Sequence, residues 1–348
     1  MINQPKFKRF PLILLEVSCL ILNYKQGVLN MNNIKKIGLT ALAGSLVAGS
    51  VSAAEMSVSG SAGMSYSGGD EKKTTGQGWT MGDSLTFSAS GDVNDIGVTL
   101  TYELDGDDAD ATTGGSAQLD SHSIAFDLGD AGSLTFHGHG GSSALGAKDD
   151  VMPTANEEPW DIVTGAEAHV IGGAGGNNMF AYSYSHESGV TGTVTYVNAA
   201  DAVTDVSSTS YGIEYTGMEG LTIGYAQQDV EVTTNTKGDE STMYAKYAIG
   251  GFTVGIQMSE NDMETGNDYE STGIGISYQV NDDLAVSYGN HEIEEVSSGN
   301  PDQEAAALSF SYTMGSLGIV GTVHDVDNID NSSTNSREAY SLGLSFNF

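Results

Sequence analysis

Residues 243–258 read Met-Tyr-Ala-Lys-Tyr-Ala-Ile-Gly-Gly-Phe-Thr-Val-Gly-Ile-Gln-Met. Met243, Ala245, Tyr247 and Ile249 fall on one face; Tyr244 and Lys246 fall on the other. After Gly250-Gly251 the rhythm resumes with Phe252, Val254, Ile256 and Met258. Period two with one apolar face is the signature of a half-buried strand, and two glycines between such runs mark a tight hairpin. The 16 residues therefore predict two antiparallel strands.

The same pattern runs outward in both directions. Toward the N-terminus it takes in Met56, Val58, Gly60, Ala62, Met64 and Tyr66; Leu85, Phe87 and Ala89; Ile96, Val98, Leu100, Tyr102 and Leu104. It continues through Ile124, Phe126 and Leu128; Leu134 and Phe136; Phe180, Tyr182 and Tyr184; Val190, Gly192, Val194 and Tyr196; Tyr211, Ile213 and Tyr215; Leu221, Ile223 and Tyr225. Toward the C-terminus come Ile274, Ile276 and Tyr278; Leu284, Val286 and Tyr288; Leu308, Phe310 and Tyr312; Leu317, Ile319 and Val323; and Tyr340 to Phe348. The segments number 16. Their connectors alternate in length. Gly91–Asp95, Gly129–Gly132, Ser188-Gly189, Gly217–Gly220, Gly250-Gly251, Asn281–Asp283 and Met314–Ser316 are short and rich in Gly, Asn and Asp, as turns require. Between them lie longer, acidic, Thr/Ser-rich loops. An even number of antiparallel strands with short turns at one end and long loops at the other predicts an all-β transmembrane barrel, with periplasmic turns and outer loops. Tyrosines near the strand ends fit the two water–hydrocarbon boundaries.

Composition sets limits on function. The chain has 348 residues with 46 acids, 12 bases and a net charge of −34. Nucleic acid is a poor partner, because binding it needs Lys and Arg against phosphate. After the N-terminus no apolar run is long enough for a membrane helix. No G-x-S-x-G, H-E-x-x-H or phosphate-binding loop occurs, so no enzyme is expected.

The N-terminus reads as targeting. Residues 31–53 form a signal peptide: the basic start Met31-Asn-Asn-Ile-Lys-Lys36, an apolar run over 37–49, and small residues allowing cleavage after Ala53 or Ala54. Residues 1–30 do not fit that signal and read as an upstream extension from an early start, with Met31 the true start. The single cysteine, Cys19, lies in that extension, so residues 54–348 carry no thiol chemistry. Those residues hold the barrel, and their bases are Lys72, Lys73, Lys148, Lys237, Lys246 and Arg337.

One stretch breaks the strand rhythm. Residues 140–177 carry Asp149, Asp150, Glu157, Glu158, Asp161 and Glu167, two of the five prolines and Trp160. So long a connector in a compact architecture is usually functional.

The last segment, Tyr340-Ser-Leu-Gly-Leu-Ser-Phe-Asn-Phe348, alternates to its end and closes on phenylalanine. With 16 strands and a long third outer loop, the chain here resembles the general trimeric outer-membrane porins of Gram-negative bacteria, in particular the alphaproteobacterial type. The resemblance implies a homotrimer in outer-membrane lipid and lipopolysaccharide, passing small hydrophilic solutes and ions. It implies that the third long loop folds inward as a constriction, its acids facing basic residues on the barrel wall. The acids are present at 149, 150, 157, 158, 161 and 167. A basic cluster is not: alternation turns only Lys246 and Arg337 inward, with Lys148 in the loop itself. A lumen lined by carboxylates should prefer cations. The small outward residues Gly60 and Ala62 suit packing against another subunit.

Several features have blander readings. His137 and His139 sit two apart and are expected to share the lumen face; no third ligand is fixed, so no metal is assigned. Asp105, Asp107, Asp108 and Asp110, and also Asp325, Asp327 and Asp330, fall in outer loops but lack the ligand order of a calcium loop. They read as solvated faces with weak divalent affinity, and no cofactor is expected. Two other functions stay compatible with the sequence: a substrate-specific outer-membrane channel with Trp160 near its site, and an acidic secreted β-rich surface or adhesion protein.

Overall fold

The computed structural model describes residues 55–70, 78–106, 117–149, 151–166, 171–172, 176–198, 207–233, 236–264, 266–296 and 298–348. The expected signal segment 31–53 and the stretch 1–30 lie outside the described residues, as do Asp107, Asp108, Asp110, Asp150 and Glu167.

The alternating segments are strands: β1 (Glu55–Gly69), β2 (Trp79–Val93), β3 (Ile96–Gly106), β4 (Ala117–Asp127), β5 (Ser133–His139), β6 (Met179–Ser185), β7 (Val190–Val197) and β8 (Ser208–Met218). The second half holds β9 (Leu221–Thr233), β10 (Thr236–Ile249), β11 (Phe252–Met263), β12 (Tyr269–Gln279), β13 (Leu284–Glu295), β14 (Gln303–Met314), β15 (Leu317–Asp327) and β16 (Arg337–Asn347). Each pairs antiparallel with the next, and β1 pairs with β16, so the sheet closes into a barrel of 16 strands. Closure removes every free sheet edge, which is what lets a sheet sit in hydrocarbon. At the seam Gly60 and Phe348 exchange both backbone hydrogen bonds, 2.9 and 3.0 Å. Gly60 is small of necessity: a Cβ there would lie 2.8 Å from Leu85 and 2.9 Å from the Phe348 ring.

The tight turns explain the register. Asn94 and Asp95 both take positive φ, 53° and 66°. That two-residue turn twists with the strands it joins, and Asn and Asp tolerate the conformation. Once a turn fixes the pairing, the period of two fixes which residues face out.

The outward face is apolar and exposed, with Val58, Leu100, Ile213, Ile256, Ile274, Leu308 and Leu342 among its members. Aromatic side chains border this band at both ends. Tyr66, Trp79, Tyr102, Tyr225 and Tyr340 stand toward the loops, and Tyr215, Tyr247, Phe252, Tyr278 and Tyr312 toward the turns. Tyr66 meets Trp79 edge to face with ring centres 5.2 Å apart, and Phe252 stacks on Tyr278 at 4.3 Å.

Two local readings are corrected. Asp325 and Asp327 belong to β15, and Asp105 to β3; of these acids among the described residues, only Asp330 lies in a connector, a short 3-10 turn over Ile329–Asn331. Between β9 and β10 the expected long loop is mostly ladder, since β9 runs to Thr233 and β10 begins at Thr236. Beyond Tyr225 the outward positions of the ladder turn polar, with Gln227 and Asp229 on β9 and Ser241 and Asp239 on β10, so the apolar period-two signal fades while the hydrogen bonding continues.

Candidate functional site

The chain leaves β5 at His139 and returns at Met179, and the loop between crosses the interior of the barrel. Its neck is pinned by an antiparallel bridge between Gly141 and Gly176. Gly141 must lack a side chain, because a Cβ would lie 2.6 Å from Met179 and 2.8 Å from His137.

Beyond the neck the loop is tied to the inner wall strand by strand. The backbone N–H of Ala144 donates to Thr195 Oγ1 on β7 (3.1 Å), and that of Leu145 to Ser210 Oγ on β8 (2.8 Å). Leu145 is fully buried against Ile171 and Ala226. Lys148 pairs with Glu214 of β8 at 2.9 Å, and the Tyr244 hydroxyl donates to the same carboxylate. Gln257 of β11 donates to the Lys148 carbonyl (2.6 Å). Further on, Ala155 N–H donates to Ser287 Oγ (2.8 Å), Asn156 Nδ2 to Thr322 Oγ1 (2.9 Å), and Ser309 Oγ to the Glu157 carbonyl (3.3 Å). His324 Nδ1–H donates to the Pro159 carbonyl at 3.1 Å. Trp160 lies 4.2 Å, ring centre to ring centre, from His291. With Val163 it packs on Ala305, Val326, Ile329 and Ala339. Arg337 donates to the Thr164 carbonyl (2.8 Å), and Gly172 N–H to Glu240 (3.2 Å). These contacts run from β7 to β16.

The wall is shaped to receive it. Gly255, Gly275, Gly289 and Ala307 are register partners in one inward row across β11 to β14. A Cβ on Gly255 would lie 2.6 Å from Pro153, on Gly275 2.9 Å from the Pro153 carbonyl oxygen, and on Gly289 3.0 Å from Pro159. Next to this row stand Ser287, Ser309 and Thr322, also in register, and these supply the hydrogen bonds. A trough of missing side chains is thus edged by a line of hydroxyls. Single strands do not reveal it; pairing the strands does.

The residues singled out from sequence fall as follows. Asp149 and Glu157 are half-buried, and Asp161 is exposed, with Oδ2 accepting the Glu158 N–H at 2.7 Å. Glu158 is buried at 7% exposure, so its carboxyl sits in the packing beside Trp160 and not in the open lumen. Lys246 is on the inner face under the loop, its Nζ 5.9 Å from the centre of the Tyr244 ring. Lys148, Lys246 and Arg337 are therefore all on the loop's own side of the barrel. His137 lies beside inward Met179. A register shift leaves Ser123 opposite His137 but His122 opposite His139, so Gly138 is the extra residue of a bulge between the two histidines. The strict alternation behind their shared face is interrupted there. His139 instead bonds Asn177 at the loop's far neck. Among the described residues no group of three or more His, Cys, Asp or Glu is arranged to hold a metal.

The uncovered wall, β1 to β5, is different. Its inward rows read Ser57–Ser88–Thr101–Ser123 and Ser59–Thr86–Glu103–Ser121. No Lys or Arg occurs in these five strands. Glu103 accepts from Ser84 Oγ at 2.8 Å and from Ser121 Oγ at 3.2 Å.

A closed barrel, apolar outside and polar inside, with one loop laid along its inner wall, defines a pore-forming membrane protein. The chain belongs to the Gram-negative porin family, whose family model matches residues 38–348. It is a protein of the Gram-negative outer membrane. No curated protein matches the chain in sequence. Among solved structures, the anion-selective porin from Comamonas acidovorans is similar with a TM-score of 0.64 at 14% identity, over 85% of this chain and 100% of that one. Salmonella typhi OmpF, in complex with daunomycin, gives 0.62 at 13% identity, over 85% and 98%. A mutant of the Rh. blastica porin gives 0.62 at 13% identity, over 84% and 100%. Likeness at such identity speaks to the fold alone. The family and the apolar outer band set aside the secreted surface protein.

Proposed function

We propose that this porin is a passive, cation-preferring channel for small hydrophilic solutes and ions. The loop over residues 140–178 is its constriction, and the passage lies between that loop and the inner faces of β1 to β5. The carrying observation is the distribution of charge. The bases among the described residues that reach the lumen side gather at the loop: Lys148, in the loop, is paired with Glu214 of the wall, and Lys246 and Arg337 lie beneath it, Arg337 bonded to a loop carbonyl. The opposite wall, β1 to β5, offers hydroxyls and carboxylates, with His137 at its β5 edge, and no Lys or Arg. On the loop, Asp149, Glu157 and Asp161 border the passage, with Asp150 and Glu167 assigned the same part from sequence. A lumen of one sign, walled by a low-dielectric barrel, concentrates the opposite ion.

The Comamonas porin's anion selectivity does not carry over, because the basic wall such a preference needs is missing here. A substrate-specific channel is less well supported: Trp160, the aromatic platform it would use, is buried between the loop and the barrel wall. The barrel works as a homotrimer in lipopolysaccharide-containing membrane, with the small outward residues of β1 toward a neighbouring copy.

Single-channel recording in a planar bilayer under a potassium chloride gradient tests this. Stepwise conductance with a reversal potential toward potassium is expected. A reversal toward chloride would sink the charge assignment. Block that saturates with one neutral solute would turn the reading to a specific channel. A trimer band on unheated gels, collapsing to monomer on boiling, is expected of the assembly.

A further inference from the structure

We infer that Glu103 is a second charge determinant of the pore, placed on the wall that faces the constriction loop. The inference rests on the channel reading above and adds a residue to it. Leu100 and Tyr102 of β3 are exposed on the outer face, so Glu103 points into the lumen. Its two oxygens are held from both sides, one by Ser84 of β2 and the other by Ser121 of β4. A carboxylate that accepts at both oxygens is held in one orientation.

Its height matches the loop. Glu103 is 7 residues beyond Ile96, where β3 leaves its short turn. His291 and His324 stand at the same step, 7 beyond Leu284 of β13 and Leu317 of β15, and these two lie directly under Trp160 and Pro159 of the loop. Strands of one barrel rise at a common rate. Glu103 therefore looks across the lumen at the level where the loop narrows it. With acids on both sides, no transverse field separates the ions; the two potentials add, and chloride is repelled from either edge.

The experiment is reversal-potential measurement of the full-length chain in 0.1 M against 0.5 M potassium chloride, with Glu103→Gln and Glu103→Ala beside the parent. A single charge several ångströms from a wet pore axis is worth about a two-fold change in the potassium-to-chloride permeability ratio, and that loss is expected in both variants. Glu103→Lys should lower the ratio by about four-fold, since it reverses the charge. The effect should shrink in 1 M salt, where the screening length falls to about 3 Å. Asp325→Asn removes a charge from the outer face of β15 and should leave the ratio unchanged. A cation-selective parent whose ratio is unmoved by Glu103→Gln and Glu103→Ala overturns the role of Glu103 while leaving the channel reading intact. A parent that makes no conductance steps overturns both.

Discussion

The two halves of the inner wall are built from the same alternation and put it to different uses. Across β11 to β14 the inward residues shrink to Gly255, Gly275, Gly289 and Ala307, flanked by Ser287, Ser309 and Thr322. Across β1 to β4 they stay as hydroxyls, Ser57, Ser59, Thr86, Ser88, Thr99 and Thr101, with Glu103 among them. The first wall is dry and covered, and its side chains are chosen for fit. The second is left uncovered by the loop, and its side chains bond one another and face the lumen. A lumen-facing residue therefore has two kinds of duty, and its period in the strand does not say which.

The difference can be broken most sharply at Trp160. Trp160→Ala removes the anchor of the loop's far half, and burial of that size is worth about 3–5 kcal/mol. The expected result is a loop open to protease and a noisier, larger conductance, with the barrel's thermal unfolding unchanged. Loss of the barrel itself would show that the wall depends on the loop. Gly275→Leu attacks the same fit from the wall side. Its Cβ would meet the Pro153 carbonyl oxygen at 2.9 Å. Overpacking costs about 1–3 kcal/mol, so partial unseating is expected, seen as two conductance levels. Glu214→Gln weakens the tie to Lys148, whose side chain is 26% exposed, so the cost is at most about 1 kcal/mol. A modest rise in loop cleavage rate is expected, and none in selectivity beyond that of one lumen charge. Thr86→Ala on the open wall is the smallest test. It should change stability by under about 0.5 kcal/mol and leave loop protection alone; marked loop release there would erase the contrast between the two walls.

Much of the architecture was legible because the membrane writes in period two. Met243 to Met258 reads as a hairpin, and the structure has it as β10 and β11 with the turn at Gly250-Gly251. The strand count and the closing strand came the same way. The ladder beyond Tyr225 was hidden because the outward positions turn polar, Gln227 and Asp229 among them, once the strand leaves the hydrocarbon. The long connector at 140–177 stood out by length and acidity. How it binds did not, since Pro153 and Pro159 meet glycines from three strands and only the register brings those glycines together. Acidity also misled at Glu158, which sequence groups with exposed acids and packing buries. The bases were few enough to name, but which side of the lumen they occupy follows from the path of the loop.

The pairing of β1 with β16 also has a consequence in time. The register Ser61↔Asn347 joins residues from opposite ends of the barrel. Every other ladder closes between neighbours in sequence, but this one waits for the final strand. Such a distant contact makes folding slow and leaves an unpaired edge exposed meanwhile. The chain should therefore travel to its membrane unfolded and escorted, and the seam should be the last thing to form.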